Sequence, residues 1–245
     1  MNADPSRQWR LLDLAGLDTR TGQLAHRRKN LPQAQRHAEL DQRLSALDDD
    51  VVRAQTAVQD VQREVDRAES AVQLVRDRSA RNQARLDAGQ GTPKDLQALQ
   101  HELASLDRRQ AELEDEQLEV MERAEGLDAD VTRLEAQREQ LAHETAEAAQ
   151  DKDDALAQIT AEEEAIARDR ADVAAGVGQD LLDLYEKIRA QTGIGAAALV
   201  QRRCGGCQLE LMGADLRRIA AAPDDEVVRC EECRRILVRT AESGL

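Results

Sequence analysis

Asp87-Ala88-Gly89-Gln90-Gly91-Thr92-Pro93-Lys94-Asp95 separates two long heptad seams, and its residues are those of a tight connection between helices. Gly89 and Gly91 can stop the first helix by taking positive φ. Thr92 suits the N-cap of the next helix, Pro93 its first position, and Asp95 the place from which a carboxylate returns to the cap. Upstream, apolar positions step by four and three through Leu40, Leu44, Leu47, Val51, Ala54, Val58, Val61, Val65, Ala68, Val72 and Val75, then Ser79, Asn82 and Leu86. Downstream, a second seam runs from Leu96, Leu99, Leu103 and Leu106 through Leu113, Val120, Leu127, Val131, Leu134 and Leu141, and continues in phase to Ala155, Ile159, Ile166 and Val173. Seams sustained this far beyond three or four heptads identify coiled coil, and the strict seven-residue period implies left-handed supercoiling. Matching lengths on either side of a short turn favour an antiparallel hairpin within one chain over a parallel dimer. Polar intrusions at Asn82, Gln110, Gln117 and Arg138 would weaken the seam locally and fix its register. A fold-back centred on Gly91 sets residue 40 opposite about 141 and residue 7 opposite about 174.

The first arm is interrupted at Asn30-Leu31-Pro32, because proline lacks a donor and disfavours helix at the residue before it. The segment carrying Leu11, Leu14, Leu17 and Leu24 should rejoin the bundle near its base. Composition agrees with long helices. Among 245 residues there is one Trp (Trp9), one Tyr (Tyr185) and no Phe, while 34% are charged. A globular domain of this length normally buries many aromatics. The net charge is −15, and residues 111–170 hold 20 acids against 6 bases, a net −14. Such a stretch repels phosphates and keeps a long rod in solution.

All four cysteines fall in two CxxC pairs, Cys204-Gly-Gly-Cys207 and Cys230-Glu-Glu-Cys233. Two such turns can close a tetrahedral four-sulfur shell, and metal binding would stabilise a segment whose apolar core is small. One structural Zn²⁺ is therefore expected, held by Cys204, Cys207, Cys230 and Cys233, since four cysteines leave no open position for catalysis. Iron would fit the same geometry, and only ligand softness and metal availability argue for zinc. A redox dithiol would sit beside a βαβ pattern, and none precedes either pair. Met1-Asn-Ala-Asp-Pro5 has no apolar export segment, so a reducing cytoplasm is expected and disulfides are not.

Gly176 and Gly178 break the long helix, and Leu181, Leu184, Tyr185 and Ile188 lie on one stripe of a shorter helix over 180–189, ended by Gly193 and Gly195. Tyr185 is expected to pack this neck against the cysteine-bearing domain. Short strands are expected over 199–203, 209–211, 226–229 and 236–239, with one helix over 215–222 ended at Pro223. The fold class is thus mainly α. An antiparallel coiled-coil hairpin spans 1–175, with a turn near 88–94 and a break near 30–33. A neck helix follows over 176–195, and then a C4-type zinc ribbon over 196–245.

The run Leu184-Tyr-Glu-Lys-Ile-Arg189, then Cys204-Gly-Gly-Cys207, then Val227-Val-Arg-Cys-Glu-Glu-Cys-Arg-Arg-Ile-Leu237 resembles the bacterial C4-type zinc-ribbon family, whose members carry a long N-terminal helical hairpin. The motifs cover about residues 180–238, and the coiled coil agrees in architecture alone. Arg234 stands where the family usually has glycine, and Val238 where an aromatic is common. The resemblance implies zinc through the four cysteines and a role in nucleic-acid binding or as an adaptor for proteins, not an enzyme.

Between Ala198 and Leu245, 8 arginines are matched by 8 acids. Arg202, Arg203, Arg217, Arg218, Arg234 and Arg235 are the candidate contacts to a partner or to nucleic acid, although no aromatic platform for bases lies within the ribbon. A second basic cluster, Arg76, Arg78, Arg81, Arg85 and Lys94, sits near the hairpin turn, where a solvated helix face is its plainer explanation. His26, His37, His101 and His143 are scattered without a recurrent carboxylate or nucleophile, and there is no P-loop or dinucleotide fingerprint. The expectation is a non-enzymatic, cytoplasmic adaptor for an unidentified protein partner. It would use neither membrane nor small-molecule substrate, and RNA or DNA binding is the alternative.

Overall fold

The computed structural model describes residues 1–245. The chain is mainly helical, with long helices forming a hairpin followed by a small C-terminal domain of short strands and a helix. It divides into two compact units, Ala34–Ala149 and the combination of Met1–Gln33 with Gln150–Leu245.

The Ala34–Ala149 unit is built from α2 (Pro32–Asp87) and the first part of α3 (Pro93–Ala175). Between them Gly89 and Gly91 take φ of +63° and +132°, which side-chain-bearing residues adopt only with strain. The capping box forms in both directions. The Asp95 N–H donates to Thr92 Oγ1 at 3.3 Å, and the Thr92 N–H donates to Asp95 Oδ2 at 2.9 Å. That backbone bond, helped by the Thr92 hydroxyl, holds the Asp95 carboxyl below its usual pKa.

The residues buried along the helices are seam residues: Leu40, Val51, Val61, Val65, Val72 and Asn82 from α2, with Leu99, Leu103, Leu113, Leu141, Thr145 and Ala148 from α3. Leu40, Leu141 and Ala148 form one cluster. Arg138 is a seam residue too, yet its guanidinium swings out to pair with Asp48. Other cross-helix bonds run from Arg78 to Glu102 at 2.5 Å, Arg76 to Glu114 at 2.5 Å, Arg123 to Glu64 at 2.8 Å and Gln55 to Glu135 at 2.9 Å. Each is exposed and open to screening by water and salt, so they mark the register more than they hold it.

This register gives a direct test. Spin labels at positions 55 and 135 should report a short distance, consistent with interhelical spacing of about 10 Å. The signal should survive dilution with unlabelled chains, and its loss on dilution would mean that the pair forms between molecules.

In the other unit, α1 (Pro5–Lys29) starts at Asp4, whose carboxylate accepts from the Ser6 N–H at 2.8 Å, with Pro5 at the first turn. Helix α4 (Gln179–Thr192) ends at Gly193 in the left-handed conformation. It carries the chain into β1 (Ala196–Val200), β2 (Arg203–Cys204), α5 (Gly213–Ala221), β3 (Val228–Arg229) and β4 (Ile236–Val238). The sheet order is β2-β1-β4-β3, with β1 and β4 parallel and the outer pairs antiparallel.

Alternation along the central pair divides two cores. Ala196, Ile236 and Val238 face Ala3, Leu11, Leu14, Val177, Leu181, Tyr185 and Ile188. Ala197, Leu199 and Leu237 face Leu211, Ile219, Val228, Cys204 and Cys230. With both faces covered, β1 and β4 read as apolar runs rather than as alternating ones.

Two features differ from the sequence expectations. Strand β1 starts at Ala196 rather than Leu199, because Ala196–Ala198 pair with Ile236–Val238. The 209–211 segment forms a single bridge, Arg203 with Glu210, instead of a strand. One compact unit joins Met1–Gln33 to Gln150–Leu245. The physical reason is the shared core of α1, α4, β1 and β4, reinforced where the Ala3 N–H donates to Asp225 O at 2.7 Å and the Val227 N–H to Met1 O at 3.0 Å.

Candidate metal centre

The two cysteine turns have the same backbone construction. After Cys207, Gln208 takes φ +63°, and its N–H donates to Cys204 O at 2.7 Å. After Cys233, Arg234 takes φ +62°, and its N–H donates to Cys230 O at 2.9 Å. Arg234 thus adopts the conformation glycine would favour, at a cost of about 1 kcal/mol. The residues between the cysteines differ for steric reasons. A Cβ on Gly205 would lie 2.8 Å from Ala198 O, and one on Gly206 would lie 2.7 Å from the Arg235 side chain. Glu231 and Glu232 of the second turn are exposed.

All four sulfurs lie within 4.8 Å of one another, with Cys204 to Cys233 at 3.7 Å and Cys207 to Cys230 at 3.9 Å. A tetrahedral centre with metal–sulfur bonds near 2.3 Å requires sulfur–sulfur edges of about 3.8 Å. The residues therefore fit a four-thiolate metal site and are not disulfide-bonded. Burial pushes the Cys204 thiol up to about 12, and Cys230 upward as well. At Cys233 the same burial is outweighed by the Arg235 N–H and the neighbouring thiols, and its pKa is lowered. A bound divalent cation would compensate the charge of the clustered thiolates, including Cys204 and Cys230, whose ionisation burial otherwise opposes.

The candidate arginines separate by what they already bind. Arg235 is half-buried and donates to Ile194 O at 3.0 Å and Thr192 O at 2.8 Å, closing the end of α4. Arg218 and Arg234 flank Glu231 at 2.9 and 3.4 Å. Arg202, Arg203 and Arg217 are exposed and make no ion pair.

Residues 14–193 match the CT398-like coiled coil hairpin domain, and residues 203–237 match the C4-type zinc ribbon domain. The chain belongs to the CT398-like coiled-coil hairpin family. An uncharacterised protein of Mycobacterium tuberculosis is 40% identical over 239 residues, 98% of each chain. Another from Mycobacterium leprae is 30% identical over 219 residues, covering 89% of this chain and 94% of its own. A solved Mycobacterium smegmatis structure has a TM-score of 0.87 at 38% identity, over 98% of this chain and 100% of that one. CT398 from Chlamydia trachomatis has a TM-score of 0.68 at 16% identity, over 96% and 98% of the two chains, a likeness of fold.

In this CT398-like chain the sequence reading missed a buried polar cluster. Asp18, its side chain 1% exposed, accepts from Arg170 Nε at 2.8 Å, Arg189 Nε at 2.9 Å and the Tyr185 hydroxyl at 2.6 Å. Arg170 also pairs with Glu186 at 2.5 Å. Burial and the Asp18 hydrogen bond raise the Tyr185 pKa, while the Asp18 bond raises that of Arg170 against desolvation. The available signal was an acid at the core phase of α1, seven residues after Leu11 and four after Leu14. A second omission is Trp9. No aromatic lies within the ribbon sequence, yet Trp9 is 57% exposed beside it and donates from Nε1 to Arg239 O at 3.0 Å. Arg239 spends its own guanidinium on backbone carbonyls of Ile219, Ala222, Pro223, Asp224 and Glu226.

Proposed function

We propose that this protein is a non-enzymatic cytoplasmic adaptor. It would bind protein partners through its coiled-coil hairpin and a C-terminal ribbon held by one structural Zn²⁺ on Cys204, Cys207, Cys230 and Cys233. The observation that carries the metal reading is the four-sulfur cluster, whose edges suit a closed tetrahedral shell with no position left for substrate. The partner reading is supported by the hairpin itself. A two-helix seam leaves its outer faces to solvent, and α2 and α3 expose Val52, Leu74, Leu118 and Met121 among charged side chains. No helix is long and apolar enough to cross a membrane.

Metal analysis of protein purified without chelator should return about one zinc per chain. Four freely titrating thiols in that protein would end the metal reading. For the adaptor role, a tagged full-length chain should retain a discrete protein from native lysate after nuclease treatment. Retention that vanishes with nuclease would favour the second reading, RNA or DNA binding by the ribbon. Arg202, Arg203 and Arg217, exposed and without acid partners, support that alternative. It requires affinity that falls steeply with salt, because phosphate contacts release counterions.

A further inference from the structure

We infer that the ribbon carries a docking groove for an acidic peptide segment with apolar anchors, formed by one face of α5 and the β1–β2 turn. The inference rests on the adaptor reading and names the partner chemistry at the ribbon. A cavity of about 310 Å³ lies between Arg202, Gly213, Leu216, Arg217 and Ala220, walled on its remaining side by residues 244–245. Positions 213, 216, 217 and 220 recur at helical spacing, so a single face of α5 forms the groove floor. That volume is at the small end of ligand pockets and suits a side chain or two of a peptide.

Charge and apolarity occur together here. Arg202 and Arg217 border the cavity, and neither has a carboxylate partner within the chain. Arg202 spends only its Nε, on Gly244 O at 3.3 Å, and Arg203 follows it in β2. The segment leading into α5 exposes Leu209 (51%) and Met212 (75%), and Leu211, tied by its N–H to Arg202 O at 2.9 Å, sits between them. Two guanidinium groups without carboxylate partners, Arg202 and Arg217, border a cavity also lined by Leu216 and Ala220, and together they complement carboxylates interspersed with leucine-like anchors. A nucleic acid would use the arginines and leave the apolar surface unsatisfied.

The turn that presents Arg202 is a separate observation. Leu199 pairs with Cys204 and Val200 with Arg203, so Gln201 and Arg202 form a two-residue hairpin loop. Both have positive φ, +46° and +65°, where asparagine and glycine are the favoured residues. The loop is tied down by the Gln201 N–H to Glu242 O at 2.8 Å and the Arg202 N–H to Ser243 O at 3.0 Å. A long cationic side chain thus sits where local backbone preference disfavours it, and the groove supplies a reason for its presence.

The test titrates full-length protein into short fluorescein-labelled peptides read by anisotropy. The probes are an aspartate–glutamate–leucine peptide, the same peptide with serine for leucine, a lysine–leucine peptide and labelled oligouridylate. The acidic leucine peptide should bind best, and Arg217→Glu, Arg202→Gln and the groove-filling Ala220→Leu should each weaken it about tenfold or more. Arg217 makes no side-chain bond and Ala220 is exposed, so both variants should fold, which circular dichroism checks. Equal binding of the serine peptide, no binding of the acidic leucine peptide, or tighter binding of oligouridylate through the same arginines would each overturn the groove. A protein partner captured from nuclease-treated lysate equally well by Arg217→Glu and wild type would also overturn it, while leaving the adaptor reading standing.

Discussion

A Cys204→Ser protein is expected to lose the ordered structure of the unit formed by Met1–Gln33 and Gln150–Leu245, while Ala34–Ala149 stays helical. Metal binding at a closed four-ligand zinc site is worth on the order of 10 kcal/mol, which is comparable to the whole stability of a typical domain. Cys204 is fully buried and packs with Leu199, Ile219 and Leu237, so the serine variant also leaves a polar atom in an apolar core. The damage should not stop at the cysteines. Strands β1 and β4 carry the metal-side core on one face and the α1–α4 core on the other, so loss of one face exposes the second. Far-ultraviolet circular dichroism should keep most of its helical signal. Hydrogen exchange should rise sharply in α4, β1, β4 and the first turns of α1, and remain slow along the buried seam of α2. Unchanged protection in α4 would show that the two cores unfold independently.

How much of this could be read from the residues alone depends on how far apart the interacting groups lie. The Asp87–Asp95 turn is local chemistry, and the heptad seam is a local period, so both can be read directly. The cysteine pairs are legible because a metal shell imposes its spacing on short turns. The course of β1 was not, because Ala196–Ala198 have no strand signature of their own and pair only through Ile236–Val238, forty residues later. The roles of the arginines were hidden for a related reason. Arg235 and Arg239 bind backbone carbonyls, and no residue type announces a free carbonyl in a sequence. Counting 8 arginines against 8 acids therefore gave a neutral surface, whereas the fold withdraws Arg235 and Arg239 and leaves Arg202, Arg203 and Arg217 unpaired.

The second large effect should come from Asp18→Ala. The change removes the acceptor shared by Arg170, Arg189 and the Tyr185 hydroxyl and leaves those donors turned toward a core position. Breaking one partner of a buried ionic cluster typically costs about 3 to 5 kcal/mol. Arg170 and Arg189 are 23% and 36% exposed at the side chain, which lets water reach them and places the expected loss at the lower end, about 3 kcal/mol. Tyr185→Phe removes a single bond to a charged acceptor and should cost about 2 kcal/mol. The double variant should lose less than the two effects added, because both report the same contact. Tyr185 also sets an alkaline limit. Its pKa is raised from the usual 10.0 by burial and then by Asp18, so the neutral phenol is favoured in the folded chain. Its contribution is therefore fully present below pH 10 and is lost progressively as pH rises above that value. Denaturant titrations of wild type and Tyr185→Phe should run parallel near neutral pH and converge above pH 10. A gap that stays constant through that range would show that the hydroxyl adds packing but no proton linkage. A loss well under 1 kcal/mol for Asp18→Ala would show instead that α1 and α4 are held by the apolar contacts of Leu11, Leu14, Leu181 and Ile188 alone.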